Sequence, residues 1–178
     1  MCSALYRRYL TTMIICAAGL ALSSAAFGQG SAPVAARVQL LEDREEIRTL
    51  LLDYGRFLDS HDFAAYSRLF AKDGEWAGGL GSVQGPAAIQ VFMEKNIGAG
   101  PNRGNTHHLL SNFVIEVKGD AATAWSRWAY VTPGADNRPV IAQGGHYDDT
   151  LVRENGRWKF KRRVASSDLP RPGAAQAK

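Results

Sequence analysis

The segment 40–70 constrains the fold of this chain more than any other part of it. Its apolar side chains recur at helical spacing, which predicts a helix of about five turns with one apolar face. These positions are Ile47, Leu50, Leu51, Tyr54, Phe57 and Leu58. Tyr54 lies inside the apolar stripe, and Asp59 lies at its edge near the helix end. A helix that turns a phenol and a carboxylate toward its own core builds either a pocket or a polar core.

Two more helices are indicated around this one. The chain breaks at Ser60-His61, and Asp62 is well placed to cap a short second helix. A third helix is predicted to begin at Pro86, because proline is favoured at the first helical position. The glycine-rich segment 97–105 follows it and is interpreted as a flexible lip over a pocket.

From residue 106 onward the apolar period changes from helical to two, which is typical of strands. Four long strands are predicted, over residues 106–118, 121–132, 140–153 and 157–165, and earlier in the chain a turn at Asp73-Gly74 is predicted to precede a short strand that starts at Glu75. Asn155-Gly156 is a strong hairpin signal between the last two. Helices followed by long antiparallel strands predict an α+β domain, with the helices packed on one face of a curved sheet.

The N-terminal residues 1–28 have the features of a signal peptide. Arg7 and Arg8 precede an apolar run of about ten residues, which is too short to span a bilayer comfortably. Cleavage is expected before Gln29 or after Ala26, and an uncleaved membrane anchor is the alternative. We expect export to a periplasm or secretion, and no membrane association after cleavage. Residues 29–39 are predicted to be a flexible leader, 40–165 the domain, and 166–178 a disordered tail.

Cysteine usage and charge exclude several classes of function. Cys2 and Cys16 both lie in the predicted signal peptide, so the mature chain is expected to have neither a disulfide nor a nucleophilic thiol. The whole chain has 21 Lys and Arg against 17 Asp and Glu. Part of this excess lies in the run 157–163, where basic and aromatic residues alternate. We interpret the run as a strand with one solvated basic face, so no nucleic-acid partner is expected.

Four stretches of the chain resemble the SnoaL-like branch of the nuclear transport factor 2-like superfamily, which contains polyketide cyclases and small dehydratases. They are Leu51-Leu52-Asp53-Tyr54-Gly55-Arg56-Phe57-Leu58-Asp59 with Asp62-Phe63, Asp73-Gly74, His108-Leu109-Leu110-Ser111-Asn112, and Gly145-His146-Tyr147-Asp148-Asp149 with Asn155-Gly156-Arg157-Trp158. The resemblance covers residues 40–165. It implies a cone-shaped fold, in which three N-terminal helices pack on a strongly curved antiparallel sheet around an apolar pocket. It also implies a homodimer formed through the outer sheet face, and acid–base chemistry without a metal or cofactor.

The resemblance also bears on individual residues. The bile-acid dehydratases of this group use a tyrosine and an aspartate spaced as Tyr54 and Asp59 are here. Their catalytic histidine aligns nearer Ser111, and their second aspartate falls near Tyr130 or Val131. We therefore do not expect a bile-acid dehydratase proper.

Strand alternation suggests which histidine faces the pocket. Extending the period of Phe113, Ile115 and Val117 backward places His107 inside and His108 outside. A single bulge would reverse this assignment, and the spacing of His108 and Asn112 is the more family-like. We predict His107 as the pocket residue and keep His108 as the alternative.

The sequence hypothesis is an exported, cofactor-independent lyase that acts on a hydrophobic cyclic or aromatic molecule, by loss of water or by retro-aldol loss of an aldehyde. The predicted catalytic residues are Tyr54, Asp59, His107 and His146. The predicted substrate-binding residues are Trp76, His108, Ser126, Trp128, Tyr130 and Trp158. No metal site is expected, since no local ligand spacing supports one. The second hypothesis is a non-catalytic protein that binds a small apolar ligand in the same pocket, and an accessory dimerisation domain is a third.

Overall fold

The computed structural model describes residues 33–98 and 105–169. Within these ranges the helices are α1 (Val34–Ser60), α2 (Phe63–Ser67) and α3 (Pro86–Ile97). The strands are β1 (Phe70–Gly78), β2 (Gly81–Gln84), β3 (His107–Lys118), β4 (Ala121–Pro133), β5 (Pro139–Glu154) and β6 (Arg157–Ser167). The predicted signal peptide, most of the glycine-rich lip and the chain beyond residue 169 lie outside the described residues.

The six strands form one curved, unclosed sheet in the order β2-β1-β6-β5-β4-β3. All neighbouring pairs are antiparallel except β1 and β6, which run parallel. The core lies between the helices and the inner face of this sheet, and it includes the predicted apolar stripe of α1. The predicted α+β class, with three helices packed on a strongly curved sheet, is confirmed. The short strand β2 is an element that the sequence analysis did not predict.

Helix α1 is longer than the sequence pattern indicated. It begins at Val34 rather than near residue 40, so the part of the predicted flexible leader from Val34 onward is helical. Residues 34–42 are all exposed, which explains why they carry no apolar period. The helix ends at His61 in the left-handed conformation, φ 57°. Asp62 then caps α2 as predicted, because its carboxylate accepts a hydrogen bond from the Ala65 N–H at 2.9 Å.

Among the described strands, four irregular pairings interrupt the regular alternation of side chains, one of them between β4 and β5 at Ala142. In β1 the predicted turn at Asp73-Gly74 is an irregularity inside the strand. A Cβ at Gly74 would lie 2.6 Å from the Phe160 carbonyl oxygen, so this close approach requires glycine. In β3 the pairing shifts at Asn112, whose φ is 54°, and in β6 it shifts at Lys161. Each bulge exchanges the faces of the residues on its two sides.

The last strand extends beyond the predicted end of the domain at residue 165. β6 continues to Ser167, and the backbone N–H groups of Asp168 and Leu169 both donate to the Gly144 carbonyl oxygen, at 3.0 and 3.1 Å. The first residues of the predicted disordered tail are therefore part of the fold. Among the described residues, no helix is both long enough and apolar enough to cross a membrane.

Candidate functional site

A cavity of about 380 Å³ lies between the helices and the inner face of the sheet. Its walls are mainly aromatic, with Tyr54, Tyr66, Trp76, Trp128, Tyr130 and Tyr147 among the lining residues. Its polar lining includes Asp59, His108, Asn96, Gln143 and Ser167. Two further concavities lie on the opposite, outer face of the sheet and share none of these residues.

Asp59 and His108 form a tightly bonded pair at this cavity. The Nδ1–H of His108 donates to Oδ1 of Asp59 at 2.6 Å, and the backbone N–H of His108 donates to Oδ2 at 2.8 Å. Both side chains are partly buried, with exposures of 16% for His108 and 22% for Asp59. Because Asp59 accepts the Nδ1 proton, Nε2 is the ring nitrogen that can accept a proton from another group. This arrangement is that of an oriented general base.

The predicted assignment of His107 to the pocket is wrong. His107 is exposed, while His108 is partly buried and lines the cavity. The cause is the bulge in β3, where Asn112 and Phe113 lie opposite the single residue Ser126 of β4. The extra residue reverses the alternation toward the start of the strand, so His108 points inward.

Tyr54 lies at the bottom of the cavity within a cluster of phenols. Its hydroxyl oxygen accepts a hydrogen bond from the Trp76 indole N–H at 3.1 Å. The ring of Tyr54 is 4.8 Å from that of Tyr66 and 5.3 Å from that of Tyr147. Burial raises the pKa of Tyr66 and of Tyr147 well above the ordinary value, so both stay protonated.

An ion pair is fully buried beneath these phenols. Arg163 donates to both oxygens of Asp149 at 2.7 Å, and both side chains are 0% exposed. The Arg163 guanidinium also stacks over Tyr54 at 3.9 Å and over Tyr147 at 4.2 Å. Burial raises the pKa of Asp149, and the Arg163 cation opposes this shift. For Arg163 burial works in the opposite direction, but the Asp149 carboxylate outweighs it and raises the pKa.

Sequence reasoning did not find Arg163 as an internal residue. A strict period of two through Trp158 and Phe160 would place it among the solvated basic residues. The bulge at Lys161 turns it inward, and Asp149 is the position directly opposite it on β5.

Two other predicted site residues lie elsewhere in the molecule. His146 is on the outer face of the sheet, where its ring stacks against Trp125 at 6.0 Å and contacts Asp168 and Asp148. Trp158 is buried away from the cavity. Its indole N–H faces Asp43 of α1 at 3.5 Å, so it packs the helix onto the sheet and does not line the pocket.

Six of the predicted site residues lie together at the cavity. Tyr54, Asp59, Trp76, His108, Trp128 and Tyr130 all line the cavity. Ser126 faces inward as expected and is 0% exposed, but it belongs to the core beneath the cavity wall. The described residues contain no cluster of three His, Cys, Asp or Glu side chains that could hold a metal ion.

Comparisons with known proteins agree with this architecture. The family model of the SnoaL-like domain matches residues 39–164. An uncharacterized protein of Mycobacterium tuberculosis is 33% identical over 130 residues, which are 70% of this chain and 84% of that protein. A crystal structure of a nuclear transport factor 2-like protein with a cystatin-like fold from Novosphingobium aromaticivorans is 32% identical, with a TM-score of 0.68. The match covers 81% of this chain and 92% of that one.

A second Novosphingobium aromaticivorans structure carries a functional description. It is described as a proposed scytalone dehydratase, and it is 27% identical to this chain with a TM-score of 0.61. The match covers 75% of this chain and 89% of that one.

Proposed function

The chain belongs to the SnoaL-like family, and on that premise we propose that it is a cofactor-independent lyase acting on a hydrophobic cyclic or aromatic molecule. The observation that carries this proposal is the Asp59–His108 pair, which lines the same aromatic cavity as Tyr54. The likeness to a protein described as a proposed scytalone dehydratase favours loss of water as the reaction.

In such a dehydration of a β-hydroxy ketone, His108 would act as base and then as acid. Nε2 takes the proton from the carbon next to the carbonyl group, and Asp59 stabilises the imidazolium that forms. The electron pair of the broken C–H bond forms the double bond as the C–O bond breaks. The imidazolium returns its proton to the leaving hydroxyl, which departs as water. Tyr54, oriented by Trp76, donates a hydrogen bond to the carbonyl oxygen, where negative charge develops.

Loss of an aldehyde uses the same three side chains. His108 would take the proton of a substrate hydroxyl, the adjacent C–C bond would break, and the aldehyde would leave. The resulting enolate oxygen accepts the Tyr54 hydrogen bond, and the imidazolium of His108 protonates the carbon. The two reactions differ in the substrate rather than in the residues required.

The cavity restricts the substrate class. Its volume of about 380 Å³ is near the lower end of the range for small-molecule pockets. The aromatic walls favour flat rings, and among the described residues that line the cavity there is no lysine or arginine that would pair with an anionic group. A neutral substrate of one or two rings with hydroxyl or carbonyl groups fits these features best.

The experiment that tests this function is a screen for product without added cofactor. The purified protein is incubated with hydroxylated aromatic dimers, polyketide-like ring ketones and hydroxysteroids, and mass spectrometry is used to look for loss of water or formaldehyde. The proposal predicts one product class that is absent with Asp59→Asn. If no compound is turned over but one raises the melting temperature, the protein is a binder that uses the same cavity, which is the second candidate function.

We also propose that the protein is exported and that it forms a homodimer. The composition of residues 1–28 supports export, and N-terminal sequencing of the secreted or periplasmic protein is expected to begin at Gln29 or Phe27. Leu109 and Val114, both more than half exposed on the outer sheet face, support the dimer. Sedimentation should give twice the monomer mass, and Val114→Glu should give the monomer.

A further inference from the structure

The end of β6 is held from the outer face of the sheet by charged side chains. Oδ1 of Asp168 accepts from Nδ1 of His146 at 2.7 Å, and Oδ2 accepts from Arg127 at 3.0 Å. The other ring nitrogen of His146 lies 3.2 Å from Oδ2 of Asp148. The ring stacks on Trp125, with an angle of 24° between the two planes. We call His146, Arg127 and Asp168 the outer clamp.

The residue just before the clamp lies on the cavity. Ser167 lines the pocket, and its hydroxyl accepts a hydrogen bond from the Gln143 side-chain amide at 2.6 Å. Gln143 lines the same wall from β5. Two consecutive residues therefore lie on opposite faces of the sheet: Ser167 in the polar wall of the cavity and Asp168 in the outer clamp.

Backbone pairing alone holds this end of β6 weakly. The parallel partner β1 pairs with β6 only as far as Ala165, and beyond that point Ser167 is paired with Gly145 of β5 alone. A strand end with one partner frays more easily than a strand with two. The clamp adds two charged contacts at this position, and the two hydrogen bonds to the Gly144 carbonyl complete the attachment.

We infer that His146 is a positioning residue, which with Arg127 holds Asp168 and thereby fixes Ser167 and Gln143 as the polar wall of the substrate cavity. The effect of His146 on turnover rests on the proposed function. Its effect on the positions of Ser167 and Gln143 does not. Through Asp168 a histidine outside the pocket sets the geometry of a hydrogen-bonding group inside it.

The side-chain amide resonances of Gln143 test the inference directly, because they report the contact with Ser167 in the free protein. In ¹⁵N-labelled full-length protein, the Ser167→Ala variant is the reference: it gives the chemical shifts of the Gln143 amide when the contact with Ser167 is lost. We expect His146→Ala to move them toward that position and His146→Gln, which keeps a donor, to restore them in part. Arg138→Gln is the control, since Arg138 forms an exposed ion pair with Asp136 away from the clamp.

The same variants separate this inference from the proposed function. If the Gln143 resonances move in Ser167→Ala but stay unchanged in His146→Ala, the inference is wrong, whatever the protein catalyses.

With a substrate from the screen, His146→Ala should raise KM by about two- to fivefold, the scale of one partly exposed ion pair, and leave kcat within about twofold. In the double variant with Ser167→Ala, KM should equal that of Ser167→Ala alone, and additive effects would overturn the positioning role. Failure of the substrate screen would remove the proposed function and leave the resonance test intact.

Discussion

Two histidines of this chain are each bonded to an aspartate, and they lie on opposite faces of one sheet. His108 bonds to Asp59 at 2.6 Å on the inner face, and His146 bonds to Asp168 at 2.7 Å on the outer face. The hydrogen bonds are nearly the same, but the surroundings differ. His108 lines an aromatic cavity, whereas His146 has carboxylates at both ring nitrogens. A histidine–aspartate pair is therefore a candidate catalytic group only where its second nitrogen faces a substrate.

The largest difference between the two faces should appear in catalysis. His108→Ala removes the proposed base, and we expect a loss of turnover of about 10²- to 10⁴-fold. His146→Ala leaves the base in place, so kcat should change by no more than about twofold. Product formation measured for both variants at saturating substrate checks this prediction. Equal losses in the two variants would contradict the assignment of the catalytic base to His108 on the inner face.

A large difference in stability is also expected between two adjacent arginines of β6. Arg163→Met leaves the Asp149 carboxylate buried without its partner and should lower the free energy of unfolding by about 3–5 kcal/mol. Arg162 pairs with Glu75 at the surface, so Arg162→Met should cost at most about 1 kcal/mol. Urea denaturation of both variants measures the difference.

The double variant Arg163→Met with Asp149→Leu sharpens this test. It removes both buried charges, so part of the lost stability should return. If Arg163→Met alone is as stable as the native protein, the buried pair does not contribute to stability in the way that its burial implies.

A smaller effect is expected from the indole N–H that orients Tyr54. Trp76→Phe keeps an aromatic wall but removes the donor to the Tyr54 hydroxyl, and we expect kcat to fall by about tenfold, the scale of one hydrogen bond. Trp125→Phe, on the outer face, is the matched control and should leave kcat unchanged. A loss in the control of the same size would mean that the kinetics report general packing.

The smallest effect is a dependence of stability on pH that originates in α1. Burial alone would raise the pKa of Asp43, but hydrogen bonds from Arg153, Gln39 and Trp158 outweigh it and lower the pKa. The folded state therefore favours the carboxylate. Its contribution to stability is complete above the ordinary pKa of about 3.9 and is lost as the pH falls through the lower folded value.

Asp43→Asn should accordingly make the free energy of unfolding less dependent on pH below about 4. Asp53→Asn, a change in a partly exposed carboxylate of the same helix, is the control. Denaturation series between pH 2 and pH 6 measure both slopes. A slope for Asp43→Asn identical to that of the native protein would contradict the assignment.

The fold could be predicted from the sequence because its signals are local and repeated. The apolar stripe from Ile47 to Leu58, the cap at Asp62 and Pro86 at the start of α3 all lie where the pattern placed them. The start of α1 could not be placed, because its first turns are exposed and have no apolar period. The same limit applies to β2, which spans only four residues.

In the candidate site, the sequence predicted the orientation of side chains only where no β-bulge intervenes. Tyr54 and Asp59 lie on a regular helix, so their orientation follows from spacing alone. His107 was chosen over His108 because one extra residue near Asn112 leaves no mark on the alternation of the strand. Arg163 was missed for the same reason, because the extra residue at Lys161 turns a residue of a basic run into the core. Bulges of this kind depend on pairing with the neighbouring strand and are therefore set by the tertiary fold.

The most direct test of the account compares His107→Ala with His108→Ala in the substrate screen. The two residues are adjacent in the chain and point to opposite faces of β3, so each variant controls for the other. We expect product formation to disappear with His108→Ala and to continue at the native rate with His107→Ala, while both proteins keep their melting temperature. Loss of product with His107→Ala and a native rate with His108→Ala would contradict the Asp59–His108 pair as the centre of the reaction.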